Sequence, residues 1–264
     1  MAPNEVFNKS VLIVAHPDDE VLWFSSVLEK VDEIKICYLD VKSAPKWTTG
    51  RRKSIAEYPK DNITCLGIDE SEVFNDNNWR TPRITEYGLE ILRKNSAYDK
   101  YRENYYKLKN ELSNKLTKYR NVFTHNPWGE YGNEEHVQVY RVVKELKESM
   151  GFTLWFSNYC SNKSFGLVQQ YISGFDSKYI TLQTNKEEAR KIKRLYQKNL
   201  CWTWYSEWEW FNEESFMEDE NTFEGNNTAG HFFPLNMIKV ILEKESKGKL
   251  LSYGKFISKM WTSK

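Results

Sequence analysis

Five apolar residues, Val11 to Ala15, run directly into His16-Pro17-Asp18-Asp19-Glu20. A short apolar run stopped by a turn signal reads as a strand buried on both faces, as in a parallel sheet. The apolar spacing from Val21 to Leu28 predicts a helix after the turn. Open α/β sheets bind ligands beyond the carboxyl ends of their strands, so this turn offers one imidazole and three carboxylates to the expected crevice. A phosphate site would need glycines and a helix start free of acids, which argues against a nucleotide-binding reading. Histidine beside adjacent acids suits a divalent cation.

The same alternation continues along the chain. Residues 34–39, 62–66 and 121–124 are short apolar or β-branched stretches separated by helical or mixed segments, the pattern of βαβ units. Tyr98, Tyr101, Tyr105, Leu108, Leu112 and Leu116 recur at steps of three and four, predicting an amphipathic helix over Tyr98–Tyr119 that covers one sheet face. A second helix is expected from about Glu134 to Ser149, strands at 152–160 and 178–183, and a helix from Asn185 to Leu200 begun by Asn185 ahead of Glu187 and Glu188. The fold class is therefore α/β, Rossmann-like, with a mostly parallel sheet flanked by helices. One domain over 1–264 is the simplest organisation, with a core of about 8–200 and an aromatic-rich extension over 201–264. In that extension the cluster Trp202 to Trp210 is expected to pack as a C-terminal helix, a sugar-stacking platform being the alternative. Glu218 to Gly230 reads as a polar loop.

Composition narrows the function classes. A net charge of +1 gives no electrostatic case for nucleic acid or acidic membranes. No run approaches the roughly 20 apolar residues of a membrane span, and Met1 to Ser10 lacks a signal-peptide core. Cys37, Cys65, Cys160 and Cys201 are scattered without a C-x-x-C, which reads as free thiols and a cytoplasmic location. The oligomeric state stays open.

One turn does not supply enough ligands for a metal. Thr124-His125-Asn126-Pro127-Trp128-Gly129-Glu130-Tyr131-Gly132-Asn133-Glu134-Glu135-His136 follows another apolar stretch, so it too belongs at a strand's carboxyl end. One His and one Asp from the first turn with one His from the second make a three-ligand site with an open position, the arrangement of catalytic zinc. Ala15 to Glu20 resembles the signature of the zinc-dependent de-N-acetylases related to GlcNAc-phosphatidylinositol de-N-acetylase (PIG-L/LmbE-like deacetylases). The second stretch is similar, without a gap, to that family's T-x-[DN]-P-x-G-x-x-G-H-x-x-H pattern. The resemblance covers roughly the first 160 residues.

The resemblance implies metal ligation by His16, Asp19 and His136, with Asp18 as general base and Tyr131 helping to hold the oxyanion of the tetrahedral intermediate. It implies Zn2+ as cofactor, which lowers the pKa of water from 15.7 to about 7; two imidazoles and a carboxylate also accept iron or another divalent ion. The implied substrate is an N-acetylated sugar, free or within a nucleotide sugar, glycolipid or glycan precursor, losing acetate. One position departs: the family's histidine at the start of H-x-x-H is Asn133 here. Asparagine donates a neutral hydrogen bond but carries no proton charge, and loss of one oxyanion donor costs about 2.7–4 kcal/mol. A relative that binds a sugar and hardly turns it over is therefore the alternative function.

Other residues have plainer readings beside the functional one. Asp18 and Asp19 also suit a helix start, and His125 reads as structural. Arg52 is the candidate substrate-binding arginine, with a solvated helix start as its plain reading. Asp40 is placed to meet a sugar hydroxyl or to cap a turn. His231 has no motif around it.

Overall fold

The structure, a computed structural model, describes residues 5–172, 178–220 and 233–240. His231 and residues 221–230 of the expected polar loop lie outside the described residues. In chain order the elements are β1 (Ser10–Val14), α1 (Asp19–Trp23), β2 (Glu33–Tyr38), α2 (Pro45–Ala56), β3 (Ile63–Ile68), the short hairpin β4 (Ile84–Thr85) and β5 (Gly88–Leu89), then α3 (Ser96–Lys115) and β6 (Asn121–Thr124). There follow α4 (Glu134–Met150), β7 (Thr153–Ser157), β8 (Tyr159–Ser161), α5 (Phe165–Tyr171), β9 (Tyr179–Gln183), α6 (Lys186–Lys198), β10 (Glu213–Glu218) and β11 (Asn236–Ile238).

Seven strands form the central sheet in the order β3-β2-β1-β6-β7-β10-β9. The first five are parallel, whereas β10 runs antiparallel to both β7 and β9. From β1 the chain builds outward one way to β2 and β3, then returns to add β6 and β7 on the other side. That reversal makes the β1/β6 boundary the topological switch point, where such sheets bind ligands. Ile13 pairs with Thr124, so the chain leaves the sheet after these two strands side by side.

Val11, Leu12, Ile13 and Val14 are completely buried, each worth about 1.5–3 kcal/mol relative to exposure. β1 is thus held from both faces, and the turn after it starts from a rigid base. On one face the core includes Leu108, Leu112 and Leu116 with Val139, Tyr140 and Val143 of α4; on the other it includes Leu22, Phe24, Ile192 and Tyr196. The expected stripe of α3 is the buried one. Asn95 caps that helix, Asn185 caps α6, and Gly151 ends α4 in the left-handed region at φ 73.

Three expectations differ from the structure for local reasons. The helix over 21–28 stops at Trp23, because Ser26 N donates to Glu214 Oε2 rather than back along a helix. The strand over 152–160 breaks after Ser157: Asn126 Nδ2 donates to the carbonyls of Ser157 and Tyr159, and β8 pairs with β11 instead. Residues 202–210, expected as a helix, contain neither helix nor strand, and β10 shortly beyond them belongs to the central sheet.

Buried Glu214 accepts four hydrogen bonds, from Ser25 Oγ, Ser26 N, Ser26 Oγ and Tyr159 Oη at 2.6–2.9 Å. Glu214→Ala strands these donors, and breaking a buried network this way costs about 3–5 kcal/mol. Urea unfolding should show that loss; a change below about 1 kcal/mol would mean the donors find other partners.

Candidate metal centre

The turn after β1 is wound tightly. His16 N donates to Asp19 Oδ2 at 2.7 Å, and Asp18 sits in the left-handed region at φ 94, a conformation that asparagine and aspartate tolerate better than other side chains. Across the switch point the loop after β6 is fixed by Gly129 at φ 66, where a Cβ would meet Asn133 O at 2.4 Å. Asn133 then starts α4: its Oδ1 accepts from Glu135 N at 2.8 Å. The two loops bring His16, Asp19 and His136 together, with one ligand atom from each within 4.8 Å of the others. His16 Nδ1 lies 3.1 Å and His136 Nε2 3.2 Å from Asp19 Oδ2. The three side chains are buried.

Carboxylates behind the imidazoles assign the tautomers. Glu130 Oε2 accepts from Nδ1 of both His125 and His136, at 2.9 and 2.7 Å, while its Oε1 accepts from Asn126 N and Ser157 Oγ. Ala15 N donates to His125 Nε2 at 2.8 Å, so His125 is a neutral link between the two strand ends. His16 Nε2 donates to Glu135 Oε2 at 2.9 Å, and Glu135 Oε1 is held by the amide and hydroxyl of Ser71. With those nitrogens tied to carboxylates, His16 Nδ1 and His136 Nε2 are the atoms that a neutral ring would offer to a cation, and both face Asp19 Oδ2. His136 Nε2 is buried and makes no hydrogen bond.

Three observations fit a divalent cation at this point. The first is that buried nitrogen, which makes no hydrogen bond although Asp19 Oδ2 lies 3.2 Å away. The second is spacing: two ligand atoms on one tetrahedral zinc, at about 2.0–2.1 Å from it, stand about 3.3 Å apart, close to the separations found. The third is charge. Buried Asp19, Glu70, Glu130 and Glu135 surround His16 and His136, with Asp18 also buried beside them, and the one buried guanidinium among the described residues, Arg51, is paired with Glu70. Buried charges demand compensation. Two neighbouring groupings, His125-Glu130-His136 and His16-Glu70-Glu135, also bring suitable atoms close. In the first, both His125 nitrogens are already used; in the second, Arg51 and Ser71 occupy the carboxylates. These groups sit behind the candidate ligands, where outer carboxylates orient metal-binding histidines.

The same charge excess sets the protonation tendencies. Burial opposes charge on His16 and His136, but Glu70, Asp19 and Glu135 around the former and Asp19 and Glu130 around the latter hold both above the ordinary histidine value. Burial alone would raise Glu130, yet His125 and His136 pull it down to about 2. Asp18 moves the other way, to about 7, driven by burial and then by Asp19, against the hydrogen bonds from Thr203.

Asn133 Nδ2 donates to Tyr131 Oη at 2.8 Å. Tyr131 stands edge-on to His136 at 5.3 Å between ring centroids and packs on Trp23 and Trp204. Asn133 therefore has two holds, on the start of α4 and on the tyrosine. Asn133→Ala should cost about 1 kcal/mol through the lost cap and lower Tm by about 2–4 °C in a thermal melt; an unshifted Tm would show that the cap carries nothing.

Asp40 and Arg52 are not brought to this cluster. Arg52 Nη2 donates to both Asp40 oxygens at 2.6 Å, in a surface pair whose arginine side chain is 57% exposed. The arginine on the inner side is Arg51, whose partner Glu70 lies 3.7 Å from His16 Nε2. Sequence reasoning missed Arg51, Glu70, Glu130 and Glu135 as members of the site. Glu130 and Glu135 lie within the second motif and carried a signal; Glu70, after β3, carried none.

Among curated proteins, the chain is 24% identical over 191 residues to the uncharacterised protein L374 of Acanthamoeba polyphaga mimivirus, covering 72% of this chain and 80% of that one. Among solved structures, it is similar to a deacetylase–teicoplanin complex, with 10% identity, 80% and 98% of the two chains covered and a TM-score of 0.47. The A40926 pseudoaglycone deacetylase gives 11% identity, 80% and 97% coverage and a TM-score of 0.45. No helix of the described residues is long and apolar enough to cross a membrane. A family model described as GlcNAc-PI de-N-acetylase matches residues 11–147, just over half of the sequence and both strand-end motifs, and the chain belongs to that family.

Proposed function

We propose that this protein is a zinc-dependent hydrolase that removes the acetyl group from an N-acetyl amino sugar or glycoconjugate. The observation that carries the reading is the convergence of His16 Nδ1 and His136 Nε2 on Asp19 Oδ2, with Nε2 buried and making no hydrogen bond. Family membership gives the reaction class its support. His16, Asp19 and His136 would hold the ion; when bound it supplies Lewis acidity toward a carbonyl and toward water.

The remaining roles fall to this chain's own groups. Asp18, next to ligand Asp19 but bonded to neither histidine, takes a proton from the attacking water and returns it to the departing amine. Tyr131, held by Asn133, donates to the oxygen on which negative charge develops. Glu130 and Glu135 keep the imidazoles in the tautomers that leave the ligand nitrogens bare. Arg52 and Asp40 remain candidate contacts for a sugar hydroxyl only if their mutual pair opens. Four free cysteines among the described residues agree with a reducing, cytoplasmic setting.

A second reading, a sugar-binding relative with little turnover, is favoured by Asn133 alone, whose amide is committed to the helix start and to Tyr131. One experiment separates the two. Freshly purified protein is analysed for metal and offered N-acetyl sugars in free, nucleotide-linked and lipid-linked form, with acetate measured. The deacetylase reading expects about one zinc per chain and acetate from at least one of them. No acetate across the panel, unchanged by Asn133→His, leaves the binding reading.

A further inference from the structure

Residues 201–212 lie beyond the stretch that the family model matches, yet they close directly on the candidate base. Thr203 donates twice to Asp18 Oδ2, from its backbone N at 2.8 Å and from Oγ1 at 2.7 Å. These are the only hydrogen bonds to the Asp18 side chain among the described residues, and both fall on the same oxygen. The segment has its own anchors at either side of that contact. Cys201 Sγ lies 3.2 Å from Ser54 Oγ, Trp210 Nε1 donates to Val21 O at 2.6 Å, and Lys193 Nζ donates to the carbonyls of Ser206 and Trp208. Trp204, next to Thr203, packs on Tyr131 at 4.7 Å and on Trp23 at 5.1 Å. Trp23 in turn donates to the second oxygen of Asp19, at 3.1 Å.

We infer that Thr203 is a positioning residue for Asp18, fixing Oδ2 with two donors so that Oδ1 is the oxygen presented to the reacting water. The inference rests on the deacetylase reading for the role of Asp18, but the contact itself does not. An aspartate has two equivalent oxygens and a nearly free terminal torsion; a base that turns its carboxylate through even a modest angle loses its line to the proton. Two donors from one rigid segment remove that freedom, since the amide and the hydroxyl of a single residue bond to the same oxygen, one to each of its lone pairs. The aromatic packing of Trp204 on Trp23 and Tyr131 keeps the donors where they are, so the extension completes the site that the two motifs begin.

The test compares Thr203→Val with Thr203→Ser. Valine has nearly the shape of threonine but no hydroxyl, and it leaves the backbone donor in place. Expected for Thr203→Val is a fall in kcat of about 10- to 100-fold, with KM within about twofold and with zinc content and Tm unchanged. Thr203→Ser should recover most of that kcat. Crystal structures supply a readout that does not depend on turnover: the Asp18 carboxylate keeps one orientation in Thr203→Ser and is turned or split in Thr203→Val. An active parent enzyme with unchanged kcat in Thr203→Val overturns the inference, as does equal damage by serine and valine. A parent that releases no acetate removes the deacetylase reading, and the carboxylate orientation in the two variants then decides the contact by itself.

Discussion

Asp19→Ala should purify with almost no zinc, where the parent protein is expected to carry about one ion per chain. Its Oδ2 lies within 3.2 Å of both His16 Nδ1 and His136 Nε2. Without it the two rings, 5.3 Å apart between centroids, face each other with no anionic ligand between them. Loss of a residue that merely orients a ligand weakens metal affinity by about 10- to 100-fold, so loss of a ligand that is also the link between the other two should exceed that. Deacetylation should fall with the metal and return only at zinc concentrations far above those the parent needs. The same truncation leaves His16 N and Trp23 Nε1 without their acceptor, so a thermal melt must accompany the metal assay. Arg52→Ala is the matching control: its exposed pair with Asp40 is worth about 0–1 kcal/mol, and it should retain full zinc. Stoichiometric zinc in a folded Asp19→Ala protein would remove the proposed centre.

Much of the fold was legible because periodicity survives where burial is simple. β1, β2 and β6 are short apolar runs buried on both faces, and α3, α4 and α6 carry one apolar stripe each. Legibility ended where a distant polar group overrode local preference. Ser25 and Ser26 leave the helix because Glu214, nearly two hundred residues away, takes their donors. Asn126 splits an apolar run in two by drawing on the carbonyls at both ends of the break. β10 escaped notice since its buried residues include Glu214 and Ser215, so no alternation of apolar and polar residues marks it.

The candidate site divides in the same way. Its inner residues sit in two compact motifs whose spacing reflects one strand end and one helix start each, so His16, Asp18, Asp19, Tyr131 and His136 were all nameable in advance. The groups behind them come from places that no local pattern joins. Glu70 and Ser71 follow β3, Arg51 lies on α2, and Thr203 belongs to a segment of aromatic residues that reads as packing. A substrate arginine was expected from this same stretch, and one residue decides its side: position 52 faces solvent, while position 51 is buried against Glu70. On a helix, neighbouring positions point about a hundred degrees apart, and α2 shows too little apolar contrast for the inward face to be read.

Asp18→Asn should keep its zinc and lose between about 10² and 10⁴ in kcat. The substitution conserves size, and Asp18 makes no hydrogen bond to His16 or His136, so the three ligand atoms keep their supports. Thr203 offers two donors to one oxygen of this side chain. An amide placed there must turn its carbonyl oxygen toward Thr203, which points its NH2 group at the position where a proton has to be accepted. The variant thus presents a donor in place of a base, and no rotation cures this without leaving two donors opposed at Thr203. KM should change little, because the group acts on the proton and not on the sugar. Zinc analysis, a thermal melt and kcat on the same preparation read the three parts separately. Retained metal with more than about a tenth of parental kcat would show that another group moves the proton; lost metal in a folded protein would make Asp18 part of the ligand set.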